Sequence, residues 1–251
     1  MPELDQAQSY IAWKAWNPEK FGRYSNSDRV HFAAELKVAG VYITQNTKVL
    51  EVGFGNASFA GWVRSISPHY VGTEANHELV ARAGRLGIEA HLGTFDLETI
   101  ANGRQFDLIA IFDVLEHLAI SDILTVLTSA GHCLSDAGRI VFRVPSGDSP
   151  FSGSLMYGDI THRTRLGSKA IFQLAELTGL EVISVHDAAF PVFGLGVLPA
   201  IRRIAISPLR KVIGGLINAV FNGNERAIMS LNLVASLRRA PSNETKAARK
   251  P

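Results

Sequence analysis

The stretch VLEVGFGNASFAGWV, residues 49–63, passes from a short apolar run to a helical pattern through a turn that contains Gly53 and Gly55. A glycine-rich turn between a strand and a helix lets a ligand approach the backbone amides and the helix N-terminus closely. An ordinary tight connection between a strand and a helix would contain the same glycines. The residues around the turn therefore have to decide whether it binds a ligand.

Two neighbours of the glycines bear on which ligand the turn would bind. The dinucleotide fingerprint G-x-G-x-x-G/A requires a small third residue for close helix packing, and Ser58 fits that position imperfectly. Glu51 lies two residues before Gly53, and its carboxylate would repel a pyrophosphate but suit a ligand with an amino group. S-adenosylmethionine carries an amino group and a sulfonium. The turn therefore favours S-adenosylmethionine over a nicotinamide dinucleotide.

From residue 47 onward, short apolar runs alternate with helical patterns, which is typical of βαβ units and a parallel sheet. FDLIAIF, residues 106–112, is a nearly continuous apolar run, as expected of a central strand that is covered on both faces. We predict an α/β fold with strands over 47–52, 69–73, 88–92, 106–112, 139–144, 181–187 and 228–237. Helices are predicted over about 27–40, 56–65, 76–86, 121–134 and 168–178.

The composition fits one large α/β domain: 251 residues, 47% of them hydrophobic and 19% charged. Its formal charge of +2 is small, and the basic residues are not interleaved with aromatic ones, so no nucleic-acid partner is expected. The single cysteine, Cys133, cannot form an intramolecular disulfide, and no signal-like segment opens the chain. We therefore expect a cytoplasmic protein.

With these motifs the chain resembles the class I S-adenosylmethionine-dependent methyltransferases. Their first motif, acid-x-Gly-x-Gly-x-small, is matched by Glu51, Gly53, Gly55 and Ala57, and FDLIAIFDVLEHL, residues 106–118, is similar to their fourth-strand motif. The resemblance implies a Rossmann-like sheet of seven strands in the order 3-2-1-4-5-7-6, with the last strand antiparallel and helices on both faces. It implies methyl transfer from S-adenosyl-L-methionine, leaving S-adenosyl-L-homocysteine.

The same resemblance assigns the cofactor-binding residues. A carboxylate at Glu74, 21 residues after Gly53, would accept hydrogen bonds from both ribose hydroxyls, although NAD enzymes place an acid there as well. An acid after the third strand contacts the adenine amino group in similar families; here Asp96 is displaced, and Thr94 and Phe95 could contribute instead. The full set is Glu51, Gly53, Gly55, Asn56, Glu74, Ala75, Thr94, Phe95, Asp96, Asp113 and His117.

Methyl transfer to a hydroxyl is helped by a general base, and histidine is the usual choice because its pKa lies near the working pH. We predict His162 as this base, with Asp159 orienting its ring; equally, Asp159, Thr161 and His162 could form a turn network that only holds the segment closed. His117 is expected to contact cofactor or substrate. The spacing of Asp113, Glu116 and Asp159 does not demand a metal ion, and none is expected.

Three parts of the chain lie outside the motifs. Residues 1–46 are predicted to form a helical lid or cap, in which Tyr24, Asn26 and the tryptophans Trp13 and Trp16 close over the substrate or pack on the sheet. The methyltransferase domain would span 47–238 with an apolar, basic insertion at 188–224, and 239–251 would be a flexible basic tail.

The stretch 194–221 combines apolar residues at helical spacing with basic residues, and no acid occurs between Asp187 and Glu225. It could cover the sheet, line a substrate pocket, form a homodimer contact or dock on an anionic membrane, which would place the protein at the inner face of the membrane. Its longest uncharged run, 188–201, has 14 residues with Pro191 and Pro199, so no membrane-spanning helix is expected.

These observations lead to three hypotheses about function. The first is O-methylation of a sugar, a glycan or another small-molecule hydroxyl in cell-surface or secondary metabolism, because YGDITHRTRLGSKAIFQLAELTGLEVISV, residues 157–185, is similar to bacterial methyltransferases, several of which act on cell-surface glycans. The others are a catalytically silent methyltransferase-like binding domain and an NAD-dependent oxidoreductase.

Overall fold

The structure, a computed structural model, describes residues 11, 13–14, 16–93, 95–223 and 227–241. Its strands within these residues are β1 Val49–Val52, β2 Tyr70–Glu74, β3 Ala90–Leu92, β4 Phe106–Phe112, β5 Leu134–Pro145, β6 Leu180–Asp187 and β7 Asn232–Arg239. They form one seven-stranded sheet in the order β3-β2-β1-β4-β5-β7-β6. The first five are parallel, and β7 pairs antiparallel with both β5 and β6. The expected strand order and antiparallel last strand are therefore confirmed.

The helices are α1 Asn26–Val38, α2 Ser58–Arg64, α3 His77–Arg85, α4 Leu97–Ala101, α5 Ile120–Cys133, α6 Gly153–Met156, α7 Ser168–Leu177 and α8 Val197–Ile217. On one face of the sheet, α4, α5 and α7 pack through a core that includes Leu97, Leu127 and Ile171. On the other face, α1, α2 and α3 pack through Leu36, Phe59 and Leu79, among others. Helices thus cover both faces of the sheet, as predicted.

Side-chain caps explain where several helices begin. Ser25 and Asp28 form a capping box at the start of α1, and Asn76 accepts the first backbone N–H groups of α3. Asp96 caps α4, a helix of five residues that the sequence did not predict. It is too short for a helical repeat of apolar residues to be visible.

Most element boundaries differ by a few residues from the predicted ones, and the largest shift is at the start of β5. β5 begins at Leu134 rather than at 139, because α5 passes directly into extended backbone and Leu134 pairs with Phe106 before the register shifts. The stretch 194–221, whose apolar residues have helical spacing, forms α8 from Val197 to Ile217, and this helix contains Pro208. A proline in the first turn, such as Pro199, removes an N–H that would have no helical partner, so the helix tolerates it.

α8 does not cover the sheet with its apolar face. Gly214 is its only buried residue among those described, and α8 belongs to neither core. By length and composition alone, the continuous helical segment Val197–Asn222 could cross a membrane, and it is the one such segment in the described part of the chain. The sequence-based expectation considered only uncharged runs, whereas this segment contains basic residues within an apolar helix.

The remaining domain assignments stay predictions. Residues 1–10 of the predicted lid and 242–251 of the predicted tail lie outside the described residues. Within the described part of the lid, Tyr24 donates to Ser65 at the end of α2 over 3.1 Å, and Asn26 Nδ2 donates to the carbonyl of Gly194 over 2.6 Å. These contacts attach α1 and the residues just before it to the rest of the domain. Neither contact involves a methyl acceptor.

Candidate active site

The glycine turn lies at the carboxyl end of β1 and leaves no room for side chains. Gly53 has φ +74° and Gly55 has φ +52°, which favours glycine at both positions. A Cβ on Gly53 would lie 2.5 Å from Val114 Cγ2, a distance that no side chain tolerates. The amides of Gly53 and Phe54 both donate to the carbonyl of Thr73, at 2.8 and 3.1 Å, which holds the turn against β2.

Glu74 closes this turn from the end of β2. Its Oε2 accepts the Gly55 N–H at 2.9 Å, and its Oε1 accepts the Asn76 N–H at 3.1 Å. Burial raises the pKa of Glu74, whereas these backbone hydrogen bonds act to lower it. The structure thus brings Gly53, Gly55 and Glu74 together as predicted, with Ala75 exposed beside them.

Glu51 lies beneath the turn and is buried. The Tyr70 hydroxyl donates to Glu51 Oε2 over 2.6 Å. Burial raises the pKa of Glu51 to about 8, although the Tyr70 hydrogen bond acts in the opposite direction. Sequence reasoning missed Tyr70; the signal was its place at the start of the strand that pairs with β1. Contact between Glu51 and the amino group of the cofactor stays a prediction.

The N-terminal segment lies across the glycine turn. A Cβ on Gly55 would lie 3.0 Å from Trp16 Cη2, so the indole of Trp16 covers this glycine. Asn56 accepts the Gly22 N–H at its backbone carbonyl over 2.9 Å and the Ser58 N–H at its side chain over 3.1 Å. Trp13, in contrast, is 55% exposed. Trp16 is therefore the tryptophan that packs on the domain, and Asn56 shapes the turn.

After β3, the predicted residues are spread out. Asp96 accepts from the Thr99 hydroxyl at 2.5 Å and from the Thr99 N–H at 3.1 Å, and these bonds lower the pKa of Asp96. The carboxylate of Asp96 therefore caps α4, which accounts for its displacement from the usual position. Phe95 is partly exposed. Thr94 lies outside the described residues.

Asp113 ends β4 in a left-handed conformation with φ +56°, which is uncommon for a residue other than glycine. Its carboxylate forms a bidentate ion pair with Arg143, which extends from β5; Nε lies 2.9 Å from Oδ1, and Nη2 contacts Oδ2. Arg143 also lies 3.9 Å from Glu35 Oε1. Sequence reasoning missed Arg143. The carboxylate of Asp113 is thus engaged by Arg143, and its predicted contact with the cofactor stays a prediction.

His162 and His117 meet at the same edge of the sheet, with ring centroids 4.6 Å apart in an edge-to-face arrangement. His162 Nδ1 lies 3.1 Å from the carbonyl of Met156, which fixes Nδ1 as the donor and leaves Nε2 as an acceptor. His117 Nδ1 lies 2.9 Å from the Thr161 hydroxyl. Burial and the neighbouring His162 lower the pKa of His117. In the neutral tautomer set by the Met156 contact, Nε2 of His162 carries a lone pair.

Asp159 belongs to a turn network and does not orient His162 through a hydrogen bond. Its carboxylate accepts from the Thr161 N–H at 2.9 Å, from the Thr161 hydroxyl at 2.5 Å and from Lys14 Nζ at 3.2 Å. Burial alone would raise the pKa of Asp159, but these bonds lower it to about 2. Oδ2 lies 3.8 Å from His162 Nε2, too far for a hydrogen bond. The hydrogen bond that holds the His162 ring in place is made with the Met156 carbonyl, and an orienting role for Asp159 stays a prediction.

Glu116 is the residue that sequence reasoning undervalued. It is 2% exposed, and its Oε1 lies 4.0 Å from His162 Nε2. Its Oε2 has no hydrogen-bond partner among the described residues. Burial, reinforced by the charge of Asp113, raises the pKa of Glu116 to about 8. An unpartnered buried carboxyl oxygen faces a ligand or stores an energetic cost.

The residues that could hold a metal ion, within the described ranges, are Glu116, His117 and His162, whose ligand atoms all lie within 4.8 Å of one another. Of the three residues whose spacing was considered and found not to demand a metal, Asp113 and Asp159 lie outside this set, and they are paired with Arg143 and Thr161. That the site works without a metal stays a prediction.

A family model for the methyltransferase domain matches residues 19–185. The chain belongs to this family. Among solved structures, an S-adenosylmethionine-dependent methyltransferase of Archaeoglobus fulgidus superposes with a TM-score of 0.59 at 16% identity, over 83% of this chain and 93% of that one. An S-adenosylmethionine-dependent methyltransferase of Mesorhizobium loti superposes with a TM-score of 0.54 at 15% identity, over 84% of this chain and 100% of that one. No curated protein is significantly similar in sequence.

This methyltransferase is of class I, and S-adenosylmethionine is its cofactor. The residues present fit that group. The turn at Gly53 and Gly55 presents backbone in a space that a Cβ would fill, and Glu74 stands beside it. When bound, S-adenosylmethionine supplies a methyl group activated by the sulfonium. The family match also sets aside the NAD-dependent oxidoreductase hypothesis.

Proposed function

We propose that this methyltransferase transfers a methyl group to a hydroxyl oxygen of a sugar, a glycan or another small molecule, in cell-surface or secondary metabolism, with His162 as general base. The observation that carries the proposal is the contact between His162 Nδ1 and the Met156 carbonyl, which leaves Nε2 of the neutral ring available to accept a proton. The Met156 carbonyl accepts a hydrogen bond from Nδ1 over 3.1 Å, and Nε2 lies among buried and partly buried polar residues at the carboxyl edge of the sheet. Open α/β folds bind their ligands at that edge.

A hydroxyl acceptor needs such a group more than an amine or a thiolate does. As the new C–O bond forms and the S–C bond breaks, the hydroxyl proton has to leave, and His162 Nε2 would receive it. The imidazolium formed would lie 3.8 Å from Asp159 Oδ2 and 4.0 Å from Glu116 Oε1. Asp159 is ionised at neutral pH because its pKa is about 2, so it would stabilise the new positive charge.

Glu116 has a complementary part in this proposal. Its raised pKa of about 8 keeps it largely protonated at neutral pH, and a protonated carboxyl can donate a hydrogen bond. With Oε2 unpartnered among the described residues, Glu116 would orient the acceptor through a polar group near the reacting hydroxyl. The enzyme's task is then alignment, proton removal and exclusion of water.

The first test compares His162→Gln with His69→Gln in the purified protein. His69 is an exposed histidine directly before β2, at the end of the sheet opposite the site. Its substitution controls for the loss of an imidazole. We measure S-adenosylhomocysteine release with a panel of sugars and other hydroxyl compounds as acceptors. His162→Gln should lower kcat about 10²-fold or more, while calorimetry shows unchanged cofactor affinity. Added imidazole should restore part of the lost rate.

His117→Gln distinguishes the two ring partners. If His117 were the base, its variant would lose the larger part of kcat and imidazole would rescue it instead. Turnover within a few-fold of wild type in both variants would contradict the base assignment. Cofactor binding without turnover on any acceptor in the panel would favour the alternative of a catalytically silent binding domain.

A further inference from the structure

The face of α8 that points away from the domain is apolar along its whole length. Its large side chains recur at spacings of three, four and, between Ile201 and Leu209, eight residues, and they are 57–80% exposed: Leu198, Ile201, Leu209, Val212 and Leu216. No described residue covers this face, since none of the apolar window of Val197–Asn222 is buried. A continuous apolar face of this size indicates an interaction surface.

The charges around this face are all of one sign. Arg202, Arg203, Arg210 and Lys211 lie on α8, and no acid occurs in the sequence between Asp187 and Glu225. A second copy of the same face would bring these cations together, which opposes a symmetric dimer. A surface that is negatively charged and apolar beneath would match both properties, and an anionic lipid bilayer is such a surface.

A cavity of about 670 Å³ beside α8 is lined by Phe190, Leu198, Arg202, Arg203 and Arg210, with others. The guanidinium groups of Arg203 and Arg210 lie 4.7 and 4.3 Å from the centre of the Phe190 ring. A second cavity adjoins this one, and the acid among the described residues that line it, Asp187, accepts the N–H of Ser230. A guanidinium group held beside an aromatic ring, as that of Arg210 is, is suited to bind a phosphate with two parallel hydrogen bonds.

The opposite side of α8 is fastened to the protein. Arg203 donates to the carbonyl of Pro191 over 2.5 Å, Asn218 accepts the N–H of Ala227 over 2.8 Å, and Gly214 is buried beside Met229. A helix held in this way lies along the surface of the domain. To cross a bilayer it would have to give up these contacts and bury its arginines in hydrocarbon.

We propose that α8 docks the protein on an anionic membrane, lying in the plane of the interface with its apolar face in the lipid and a lipid phosphate in the arginine-lined cavity. The carboxyl edge of the sheet would then work beside the membrane. This proposal does not rest on the acceptor of methyl transfer, and either can fail alone.

The experiment uses the full-length protein and flotation with vesicles of phosphatidylcholine alone or mixed with phosphatidylglycerol. Wild type should bind the mixed vesicles and bind neutral ones at least about 10-fold more weakly. Leu209→Asp/Val212→Asp should lose binding to both. Arg202→Gln/Arg210→Gln should lose about 30-fold on mixed vesicles and little on neutral ones, because two basic groups are removed.

Matched controls carry the same chemical changes elsewhere. Leu177→Asp replaces an exposed leucine on α7, and Lys37→Gln/Arg85→Gln removes two cations from α1 and α3. Both should bind like wild type. The proposal is overturned if the wild-type protein binds neither kind of vesicle or binds both kinds equally. It is also overturned if the control variants lose as much binding as the α8 variants. It is also overturned if the membrane-bound protein resists alkaline extraction, which marks a spanning helix, or if Leu209→Asp/Val212→Asp abolishes a stable dimer.

Discussion

The carboxyl edge of the sheet and the outer face of α8 both depart from the usual rule that polar residues are exposed and apolar residues are buried, but they depart from it in opposite directions. At the edge, polar groups are buried: Glu116 is 2% and Asp159 6% exposed. On α8, apolar groups are exposed, with Leu198 at 80%. Asp159 is compensated by Thr161 and Lys14, but Glu116 Oε2 has no partner among the described residues, and the exposed leucines of α8 are in contact with water, so each region keeps an unfavourable group. A second molecule improves both, which is why we infer a ligand at the one and a membrane at the other.

The two regions differ in what the chain itself provides to cover them. At the edge, the N-terminal segment brings Trp16 over Gly55 and Lys14 Nζ to within 3.2 Å of Asp159. On the outer face of α8, no described residue covers the apolar side chains. The edge is therefore a site built to enclose a small ligand, whereas α8 is open to an extended surface.

The largest expected effect separates a covered apolar helix from an uncovered one. Leu127 on α5 is fully buried in the core, whereas Leu209 on α8 is 57% exposed. Leu127→Asp should lower the free energy of unfolding by about 4 kcal/mol or more, because it buries an unpaired charge in a packed core. Leu209→Asp should change it by no more than about 0.5 kcal/mol.

Urea denaturation of the two variants measures this contrast in detergent-free buffer. A loss for Leu209→Asp close to that for Leu127→Asp would mean that the outer face of α8 packs against the protein, and the proposed membrane surface would be abandoned. The m-value has to stay unchanged for the comparison to hold.

The next effect concerns the buried carboxyl at the edge. The pKa of Glu116 is raised from 4.5 to about 8, so the folded state holds this proton more tightly than the unfolded state. Between these two pH values the folded protein loses stability as pH rises, because the unfolded chain ionises first. Glu116→Gln removes that loss. The variant should therefore gain stability relative to wild type, by roughly 2–4 kcal/mol, between about pH 5 and pH 8.5.

Thermal unfolding of wild type and variant at both pH values tests this sign. Glu176→Gln, an exposed position on α7, provides the control and should show no such pH-dependent difference. If the stability difference between Glu116→Gln and wild type is independent of pH, Glu116 is ionised in the folded protein, and its proposed hydrogen-bond donation to the acceptor is wrong.

Much of the fold follows from local patterns in the sequence. The run FDLIAIF predicted both ends of β4 correctly, because an apolar run bounded by turns is typical of a central strand that is covered on both faces. The glycine turn and Glu74 came together because parallel strands end at one edge, so residues after β1 and β2 meet there. The strand order, however, came from the resemblance to a family, since no local pattern specifies which strands pair.

The missing parts of the site depend on contacts between distant residues. Lys14 reaches Asp159 across 145 positions, and Arg143 pairs with Asp113 from a neighbouring strand. Sequence spacing suggested that Asp159 would orient His162, but the hydrogen bond to its ring is made with a carbonyl, and Thr161 donates to Asp159. On α8, helical spacing gave the apolar face and could not say whether that face turned toward the core.

A smaller effect separates two glycines with the same backbone conformation. Gly53 has φ +74° and Gly103 φ +78°, so alanine is strained by about 1 kcal/mol at both. Only at Gly53 does a Cβ meet another atom, Val114 Cγ2 at 2.5 Å; at Gly103 nothing lies within 4 Å. Gly53→Ala should weaken S-adenosylhomocysteine binding about 10-fold or more in calorimetry, and Gly103→Ala should leave it unchanged. Equal affinities would place the cofactor away from this turn.

The smallest effect tests the cover over the edge. Trp16 lies against Gly55, whereas Trp13, three residues earlier in the sequence, is 55% exposed. Trp16→Leu should weaken S-adenosylhomocysteine binding about 3- to 10-fold, because a packed indole contributes on the order of 1 kcal/mol of contact and shields the turn from water. Trp13→Leu should change affinity less than about 2-fold. Tighter binding in Trp16→Leu would have the opposite meaning: the indole would then occupy part of the cofactor's place and have to move aside before binding. In that case the chain's own Trp16 would cover the edge when no cofactor is bound. The edge and α8 would then differ in that the first is covered by the protein itself and the second is not.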